Sequence, residues 1–418
     1  MKTNIKKYRK FKQQIDQNSA TDLASNADVL TEILFRLPIR SLLRSKCVSK
    51  DWRSLISDHS FALRRNPNPN PPCGLFLQRV RTSNIDPFVF EYDFVSFNVE
   101  NEINPPFEQV SFNDSESLVL HSCKGLMLCH SLSEYYCNVS KEIVYNPQYY
   151  VYNPTINRFE TLPKLEGGDG IPRRPRGMTL VYDPLKSHYY QIVCVRAVSG
   201  NDDLYEIEIY SSKSKSWRKC GKPFANQIDT EFMCGVYWND AVHWINTKGF
   251  LVYLKIGEDH LDNIRLPVEP NARNIKKHCY PLVEGRDCLL YMNIYSPPSL
   301  MLEIFEMRRD YSDWGVAFQI DLEPHPETTD STILQLYLNK KFVIHCFVLG
   351  ENKEDGPFLV IEVPGKIFRY SIDSNKYEEL CELDEEFQMC RFTVADDGFS
   401  KLGRWPGAFM FYESLSHP

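Results

Sequence analysis

The stretch VYNPTINRFETLP, from Val151 to Pro163, contains the pattern that decides the fold. An apolar and aromatic run leads into a turn of Asn, Pro and Thr, and Phe159 then begins a second run. Asn and Pro favour tight turns because the Asn side chain bonds nearby backbone amides and the Pro ring presets φ. The stretch therefore predicts a β-hairpin.

Three further segments share this shape of strand, polar turn and returning strand. They are VYDPLKSHYYQIV at residues 181–193, IYSSKSKSWRKC at 209–220 and RYSIDSNKYEELCEL at 369–383. A hairpin that recurs every roughly 30 to 50 residues is typical of a β-propeller, in which each blade covers its neighbour. The irregular spacing leaves the number of blades open. A β-sandwich uses the same turn chemistry and is the alternative fold.

Composition is that of an ordinary folded protein. The chain has 418 residues, of which 43% are hydrophobic and 25% charged, and its net charge is −7, which argues against bulk nucleic-acid binding. No run of eighteen apolar residues occurs, and the first residues lack the apolar segment of a secretory signal, so we expect the cytoplasm and/or the nucleus. The thirteen cysteines include no CxxC pair, and we expect reduced thiols.

The chain divides into four predicted parts. Residues 1–25 are a basic, disordered tail, residues 26–65 a helical unit, residues 66–74 a linker rich in Pro and Asn, and residues 75–415 an all-β domain. After Arg65 no segment predicts a helix of ten or more residues.

The helical unit is predicted from DVLTEILFRLPIRSLLRSKCVSKDWRSLI, Asp28 to Ile56. Apolar residues recur there at spacings of three and four, which indicates three short amphipathic helices, the first capped by Asn26 or Asp28 and ended by Pro38, and the second starting at Ser41. Such a unit is small for independent folding. Its basic residues would steer an acidic partner; they are Arg36, Arg40, Arg44, Lys46, Lys50 and Arg53.

Catalytic and metal-binding motifs are weak. His121 and Cys123 lie close along the chain, but a buried core thiol is favoured over a nucleophile. No metal-ligand spacing is present, and we expect no cofactor or metal site. The loop GGDGIPRRPRG at residues 167–177 presents Arg173, Arg174 and Arg176, which suit carboxylate or phosphate groups on a client protein. The alternative is a solvated connecting loop.

Two regions resemble known families. ADVLTEILFRLPIRSLLRSKCVSKDWRSLI resembles an F-box. LHSCKGLMLCHS, VYNPTINRFETLP and GVYWNDAVHWI resemble the F-box-associated, kelch-like domain of plant F-box proteins.

This resemblance implies a non-catalytic substrate-recognition subunit of a Skp-cullin-F-box ubiquitin ligase. The F-box would dock on a Skp-family adaptor and through it on a cullin-RING ligase, and the β domain would hold a protein substrate; no nucleic acid or membrane partner is implied. The residues that match the motif and would bind the adaptor or support that surface are Leu30, Ile33, Leu34, Leu37, Pro38, Leu42, Leu43, Cys47, Val48 and Trp52. The alternative is a free-standing β-propeller enzyme or ligand-binding protein with a structural helical cap.

Overall fold

A computed structural model describes residues 27–65, 72–81, 89–98, 117–131, 134–137, 142–145, 148–165, 175–198, 201–225, 230–258, 260–268, 282–285, 288–295, 300–322, 342–350, 356–383 and 407–418. Two compact units form, Met1–Pro69 and Asn70–Pro418. The predicted tail and Asn26 lie outside the described residues, as do Arg173 and Arg174.

The described part of the first unit contains four helices, whereas the sequence predicted three. They are α1 (Ala27–Phe35), α2 (Ile39–Ser45), α3 (Lys50–Ser57) and α4 (His59–Arg65). Helix α2 begins two residues before the predicted Ser41 because Pro38 occupies its N-cap and accepts the Leu42 amide at 2.9 Å. Pro at a helix start is well tolerated, since its missing N–H would be unpaired there in any case.

Helix α4 escaped prediction because its residues HSFALRR show only one short apolar step. It is held against α1 by a Phe35–Phe61 ring contact at 4.8 Å between centroids. The Arg65 guanidinium also donates to the Leu37 carbonyl at 2.7 Å, closing the end of α1 against the end of α4. The unit therefore has one more helix covering its core than the apolar pattern indicates.

The second unit is a six-bladed β-propeller, so the sandwich alternative was wrong. Each of five blades is a four-stranded antiparallel sheet, and the remaining blade has three described strands. From the inner to the outer strand, blade 1 consists of β25 (Ala408–Phe411), β1 (Gly74–Arg81) and β2 (Val89–Ser96), and blade 2 of β3 (Ser117–Cys123), β4 (Leu126–Ser131), β7 (Gln148–Asn153) and β8 (Arg158–Thr161). Blade 3 consists of β9 (Pro175–Val181), β10 (Gln191–Val198), β11 (Asn201–Ser211) and β12 (Ser216–Ala225), and blade 4 of β13 (Val236–Trp238), β14 (Ala241–Ile245), β15 (Phe250–Lys255) and β16 (Asp262–Arg265). Blade 5 consists of β17 (Leu282–Glu284), β18 (Leu289–Tyr295), β19 (Met301–Met307) and β20 (Trp314–Asp321), and blade 6 of β21 (Val343–Val348), β22 (Phe358–Val363), β23 (Lys366–Ser371) and β24 (Lys376–Glu382). A separate hairpin, β5 (Glu134–Cys137) with β6 (Glu142–Tyr145), is inserted between β4 and β7.

Blade 1 closes the propeller by joining the two ends of the unit. Strand β25 pairs antiparallel with β1, from Gly74 opposite Phe411 to Leu77 opposite Ala408. The inner strand of this blade, β25, therefore lies more than 300 residues after its neighbour β1 in the sequence. Such a pairing has no local sequence signal, which is one reason why blades could not be counted from the sequence.

Apolar residues form six clusters, one between each pair of neighbouring blades. Leu128 and Ile192 share the cluster between blades 2 and 3, for example, and Leu302 and Leu359 share the one between blades 5 and 6. Clusters between blades 3 and 4, 4 and 5, 6 and 1, and 1 and 2 complete the circle. The inner and middle strands are therefore buried on both faces, which explains why strands such as β4 and β18 read as nearly continuous apolar runs, whereas outer strands such as β8 and β24 are mostly exposed.

The repeated hairpin of the sequence joins the two outer strands of several blades. Asn157, Lys215 and Asn375 occupy the turn with φ between 49° and 53°, a left-handed conformation that Asn tolerates well. The Asn157 side chain accepts a hydrogen bond from Tyr152 at 3.0 Å, and Asn375 does so from Tyr370 at 2.9 Å. The predicted hairpins at 151–163, 209–220 and 369–383 are thus present, whereas 181–193 joins the two inner strands of its blade instead.

The aromatic residue after the turn ties a blade to the one before it. Trp217 donates from Nε1 to the Pro163 carbonyl at 2.9 Å. Trp314 donates in the same way to the Arg265 carbonyl at 3.1 Å. Tyr377 donates through its hydroxyl to the Leu322 carbonyl at 3.3 Å. Three blades are therefore connected to the preceding blade by the same kind of hydrogen bond.

Candidate functional site

The interior of the helical unit contains several of the residues predicted to bind an adaptor. Leu34 and Leu42 are completely buried, and Leu30 is 8% exposed. They pack in the same unit as Ile56 and Phe61, which are also buried. Their burial makes them core residues, so any contribution to binding is through the shape of the surface above them.

The outer surface of the unit carries the remaining apolar residues of the motif. Ile33 is 47% exposed and Val48 is 64% exposed, which is unusual for large aliphatic side chains. Pro38, at the start of α2, and Cys47, next to Val48, are exposed as well. Three more motif residues are partly exposed: Leu37, Leu43 and Trp52. A unit this small thus leaves much of its apolar motif accessible to a partner.

Val48 is held outward by the turn between α2 and α3. Its amide bonds the Ser45 carbonyl at 3.1 Å, and the Cys47 amide bonds the Arg44 carbonyl at 3.0 Å. Ser49 then caps α3, since its hydroxyl accepts the Trp52 amide at 3.1 Å. Because both sides of Val48 are fixed by hydrogen bonds, its side chain is a preorganised apolar contact.

Basic side chains surround these apolar positions in the sequence. Of the six predicted to steer a partner, five are exposed and Lys46 is half-buried. Arg36 forms an exposed ion pair with Glu32 at 3.4 Å, and Arg53 donates to the Lys46 carbonyl at 3.4 Å. An exposed ion pair such as Arg36–Glu32 contributes little stability. The other basic side chains keep their positive charge at the surface, where it can attract an acidic partner over a long range.

The predicted basic loop of the propeller is described only in part. Arg176 lies in β9 of blade 3 and is half-buried, whereas Arg173 and Arg174 fall outside the described residues. The joint action of the three guanidinium groups therefore stays a prediction.

The centre of the propeller is crossed by side chains from blade 2. The His121 imidazole lies 2.8 Å from the Gly235 carbonyl of blade 4, and Lys124 forms a 2.8 Å ion pair with Glu284 of blade 5. Lys124 also lies over the Tyr412 ring at 5.6 Å. Blades 2 and 5 stand opposite each other in a six-bladed propeller, so the Lys124–Glu284 pair spans the axis, whereas the His121 contact reaches past blade 3 to the start of blade 4.

Burial makes the neighbouring side chains of His121 and Cys123 unreactive. Desolvation lowers the pKa of His121 to about 4, although its contact with the Gly235 carbonyl works in the other direction. Desolvation likewise raises the pKa of the Cys123 thiol to about 12. A nucleophilic thiol needs a lowered pKa, so at neutral pH this pair holds an inert thiol and a neutral imidazole.

One further feature was absent from the sequence predictions, which expected no metal site. Within the described ranges, Glu258, His260 and Asp262 form a cluster whose ligand atoms lie within 4.8 Å of one another and could hold a metal ion. All three side chains are at least 44% exposed, and His260 Nε2 lies 3.2 Å from Asp262 and 3.7 Å from Glu258. None of the described helices is long and apolar enough to cross a membrane.

Comparison with protein families assigns both units. Residues 27–64 match the F-box domain, and residues 75–383 match the F-box associated beta propeller domain. The chain belongs to the F-box family with an associated propeller. Members of this F-box family are in general non-catalytic adaptors that bind a Skp1-type protein.

Individual relatives agree with this assignment. F-box protein At5g07610 of Arabidopsis thaliana is 28% identical over 96% of this chain and 94% of its own length. F-box/kelch-repeat protein At3g23880 of the same plant is 28% identical over 53% of this chain and 58% of its own length. A putative 6-phosphogluconolactonase structure from Bacteroides uniformis covers 75% of this F-box protein and 97% of its own chain, but the identity is 10% and the TM-score is 0.32, a similarity too low to inform function.

Proposed function

We propose that this F-box protein is the substrate receptor of a Skp-cullin-F-box ubiquitin ligase. The observation that supports the proposal best is the exposure of Val48 and Ile33 on a unit whose core is otherwise closed. In this role the helical unit binds the adaptor, the propeller binds a client protein, and other subunits transfer ubiquitin. The chain accelerates transfer by proximity, because it raises the effective concentration of a client lysine near the transferring enzyme.

The adaptor contact divides the predicted residues into two groups. Ile33, Pro38, Cys47 and Val48 are exposed and would touch the adaptor. Leu37, Leu43 and Trp52 are half-buried and would do so with part of their surface, whereas the buried residues of the motif support them. Burying a Val or Ile side chain contributes about 1.5–3 kcal/mol, so a few such residues sustain binding after the entropy of association is subtracted.

The client contact is assigned to the propeller surface. The Lys124–Glu284 pair crosses the axis and His121 is held by the Gly235 carbonyl, so these central side chains already have partners, and we assign client binding to the outer surface of the propeller. The basic loop with Arg173, Arg174 and Arg176 suits acidic groups on a client. A kelch-like character of the blades stays a prediction, supported by the names of two Arabidopsis thaliana relatives. We also propose a location in the cytoplasm and/or nucleus.

Adaptor binding tests this proposal. The full chain is titrated with a purified plant Skp1-type adaptor, as wild type and as the double variant Ile33→Asp with Val48→Asp. Since both positions are exposed, the variant keeps its fold, and we expect at least a 100-fold loss of affinity because each substitution forfeits about 1.5 kcal/mol or more. Val316→Asp, at an exposed apolar position of the propeller, is the matched control and keeps wild-type affinity. Equal affinity of all three proteins would remove the proposal.

A further inference from the structure

The closing segment, residues 412–418, follows β25 and belongs to no strand. Strand β25 already closes the propeller by pairing with β1. The closing segment runs on from blade 1 to blades 2 and 3, where the side chains of Asn153 and Tyr182 hold it. Each of its residues keeps part of its surface exposed, whereas Phe411 of β25 is completely buried. Closure of the ring therefore does not account for these contacts.

One buried amide group holds the backbone of the closing segment. The side chain of Asn153, at the end of β7, is completely buried and donates from Nδ2 to the carbonyls of Ser414 at 3.0 Å and of Ser416 at 2.6 Å. Its Oδ1 accepts the Thr155 amide at 2.8 Å, which fixes the orientation of the amide group. Both N–H groups of Asn153 are thus used on main-chain carbonyls, which every peptide offers.

Two serine hydroxyls give this contact a sequence preference. Ser414 Oγ accepts the Ser416 amide at 3.2 Å, a local turn that Ser side chains favour, and the Ser414 amide donates to Thr155 Oγ1 at 3.1 Å. Tyr182 donates through its hydroxyl to Ser416 Oγ at 2.5 Å. A Cβ at Gly125 would lie 2.4 Å from Ser414 Cβ, so the glycine leaves room for the segment. The contacts therefore select two Ser residues separated by one other residue.

The surface beneath the closing segment is polar. We call it the cradle, and it consists of Gly125, Asn153, Thr155 and the Tyr182 hydroxyl. When the segment leaves, these polar groups bond water instead, and the net loss is small because water replaces each hydrogen bond. A segment that covered apolar core would expose that core on leaving. The cradle thus has the chemistry of a site with an exchangeable ligand.

We propose that the cradle binds a client segment of the pattern Ser-x-Ser, and that residues 414–416 fill it until such a client displaces them. The inference rests on the proposed role of the propeller as client receptor, and it names the site and the kind of segment that the site takes. Because the closing segment is tethered, its effective concentration at the cradle is high. It therefore excludes peptides that bind weakly and restricts the receptor to clients that bind with further contacts.

A shortened chain tests the site without a known client. The chain that ends at Glu413 keeps β25 and lacks Ser414–Pro418. The probe is an acetylated peptide with the sequence of residues 413–418, ESLSHP, and the control peptide is EALAHP. In calorimetric titrations at millimolar peptide we expect the shortened chain to bind the probe at least tenfold more tightly than the full chain does, and at least tenfold more tightly than it binds EALAHP. Absent binding by the shortened chain, or equal binding in either comparison, would overturn the proposal.

Two substitutions in the shortened chain identify the group that binds. Asn153→Ala removes both bonds to carbonyls, and we expect at least tenfold weaker binding of the probe. Asn263→Ala, at an exposed position of β16, is the matched control and binds as the shortened chain does. Equal binding by both variants contradicts the proposal.

Hydrogen exchange of the unmodified full chain tests exchangeability without any variant. We expect the amides of Ser414 and Ser416 to exchange at least tenfold faster than those of β25, because the segment opens while the blade stays closed. Equal protection would make the segment a part of the folded core and overturn the proposal. The shortened chain keeps wild-type binding of the adaptor, so a chain that binds the adaptor and not the probe disproves this inference alone.

Discussion

The helical unit and the propeller place their apolar residues differently. Within one short motif of the helical unit, Leu34 is fully buried while Val48 is 64% exposed. In the propeller, the apolar strands of each blade lie between two neighbours, and six clusters complete the circle. A chain that stacks blades covers its own apolar surface, whereas four short helices leave part of theirs uncovered, and the proposed adaptor contact lies on that uncovered part.

The largest expected effect comes from a cavity-creating substitution in the core of each region, which compares how well the two regions tolerate it. Leu34→Ala and Leu128→Ala both remove a fully buried side chain and should each cost about 3 kcal/mol. We expect the small unit to lose its helices, because its total stability is of that order, while the propeller stays folded. Hydrogen exchange measured separately over residues 27–65 and over the propeller strands distinguishes the two, and a helical unit that survives Leu34→Ala would show that its core is larger than its size suggests.

A second substitution tests the axis of the propeller. Lys124→Met leaves the Glu284 carboxylate without its cation, and breaking a largely buried pair costs about 3 kcal/mol. The double variant Lys124→Met with Glu284→Leu should recover most of that loss, as urea unfolding monitored by Trp fluorescence will measure. No recovery in the double variant would mean that the pair acts through packing and not through charge.

The third prediction concerns pH. Burial holds the pKa of His121 at about 4, below the 6.5 of an exposed imidazole, so between pH 6.5 and 4 the unfolded state binds a proton that the folded state does not. Propeller stability therefore falls as pH falls through this window, by up to about 1.4 kcal/mol per pH unit from this group. His121→Gln removes the contribution and should show a shallower decline in urea unfolding between pH 7 and 4. Parallel declines would contradict the assignment.

The smallest effect concerns the ties between blades. Trp217→Phe keeps the ring but deletes the N–H that donates to Pro163, and the expected cost is about 1 kcal/mol. Trp217→Leu, which also removes the aromatic contact with Tyr210, is the comparison and should cost more. A Phe variant as stable as the wild type would reduce the tie to packing alone.

Much of the fold was predictable because its signals are local. The hairpin turns follow from Asn, Pro and aromatic residues, and the propeller was correctly preferred. The number of blades was not predictable, since β25 pairs with β1 across most of the unit and the β5–β6 hairpin interrupts blade 2. Helix α4 was missed because its short segment is held by contacts with residues earlier in the chain, Phe35 at the end of α1 and Leu37 in the turn that follows it.

The adaptor-binding residues stay a prediction, and which of them are buried and which are exposed was not predictable from the sequence. Spacings of three and four mark Leu30, Ile33, Leu34 and Leu37 alike as one helical face, yet Ile33 is 47% exposed and Leu34 is not exposed at all. The difference depends on where the other helices pack, which no periodicity records. The surroundings of His121 were unpredictable for the same reason, because its contact partner Gly235 lies 114 residues further along the chain.

Hydrogen–deuterium exchange of the full chain with and without a Skp1-type adaptor tests the central claim most directly. The account predicts slower exchange on adaptor binding within residues 27–65, strongest around Ile33 and Val48, and unchanged exchange in the strands of all six blades. Protection of propeller strands with none in the helical unit would contradict it, because the surface assigned to the client would then be the one that holds the adaptor.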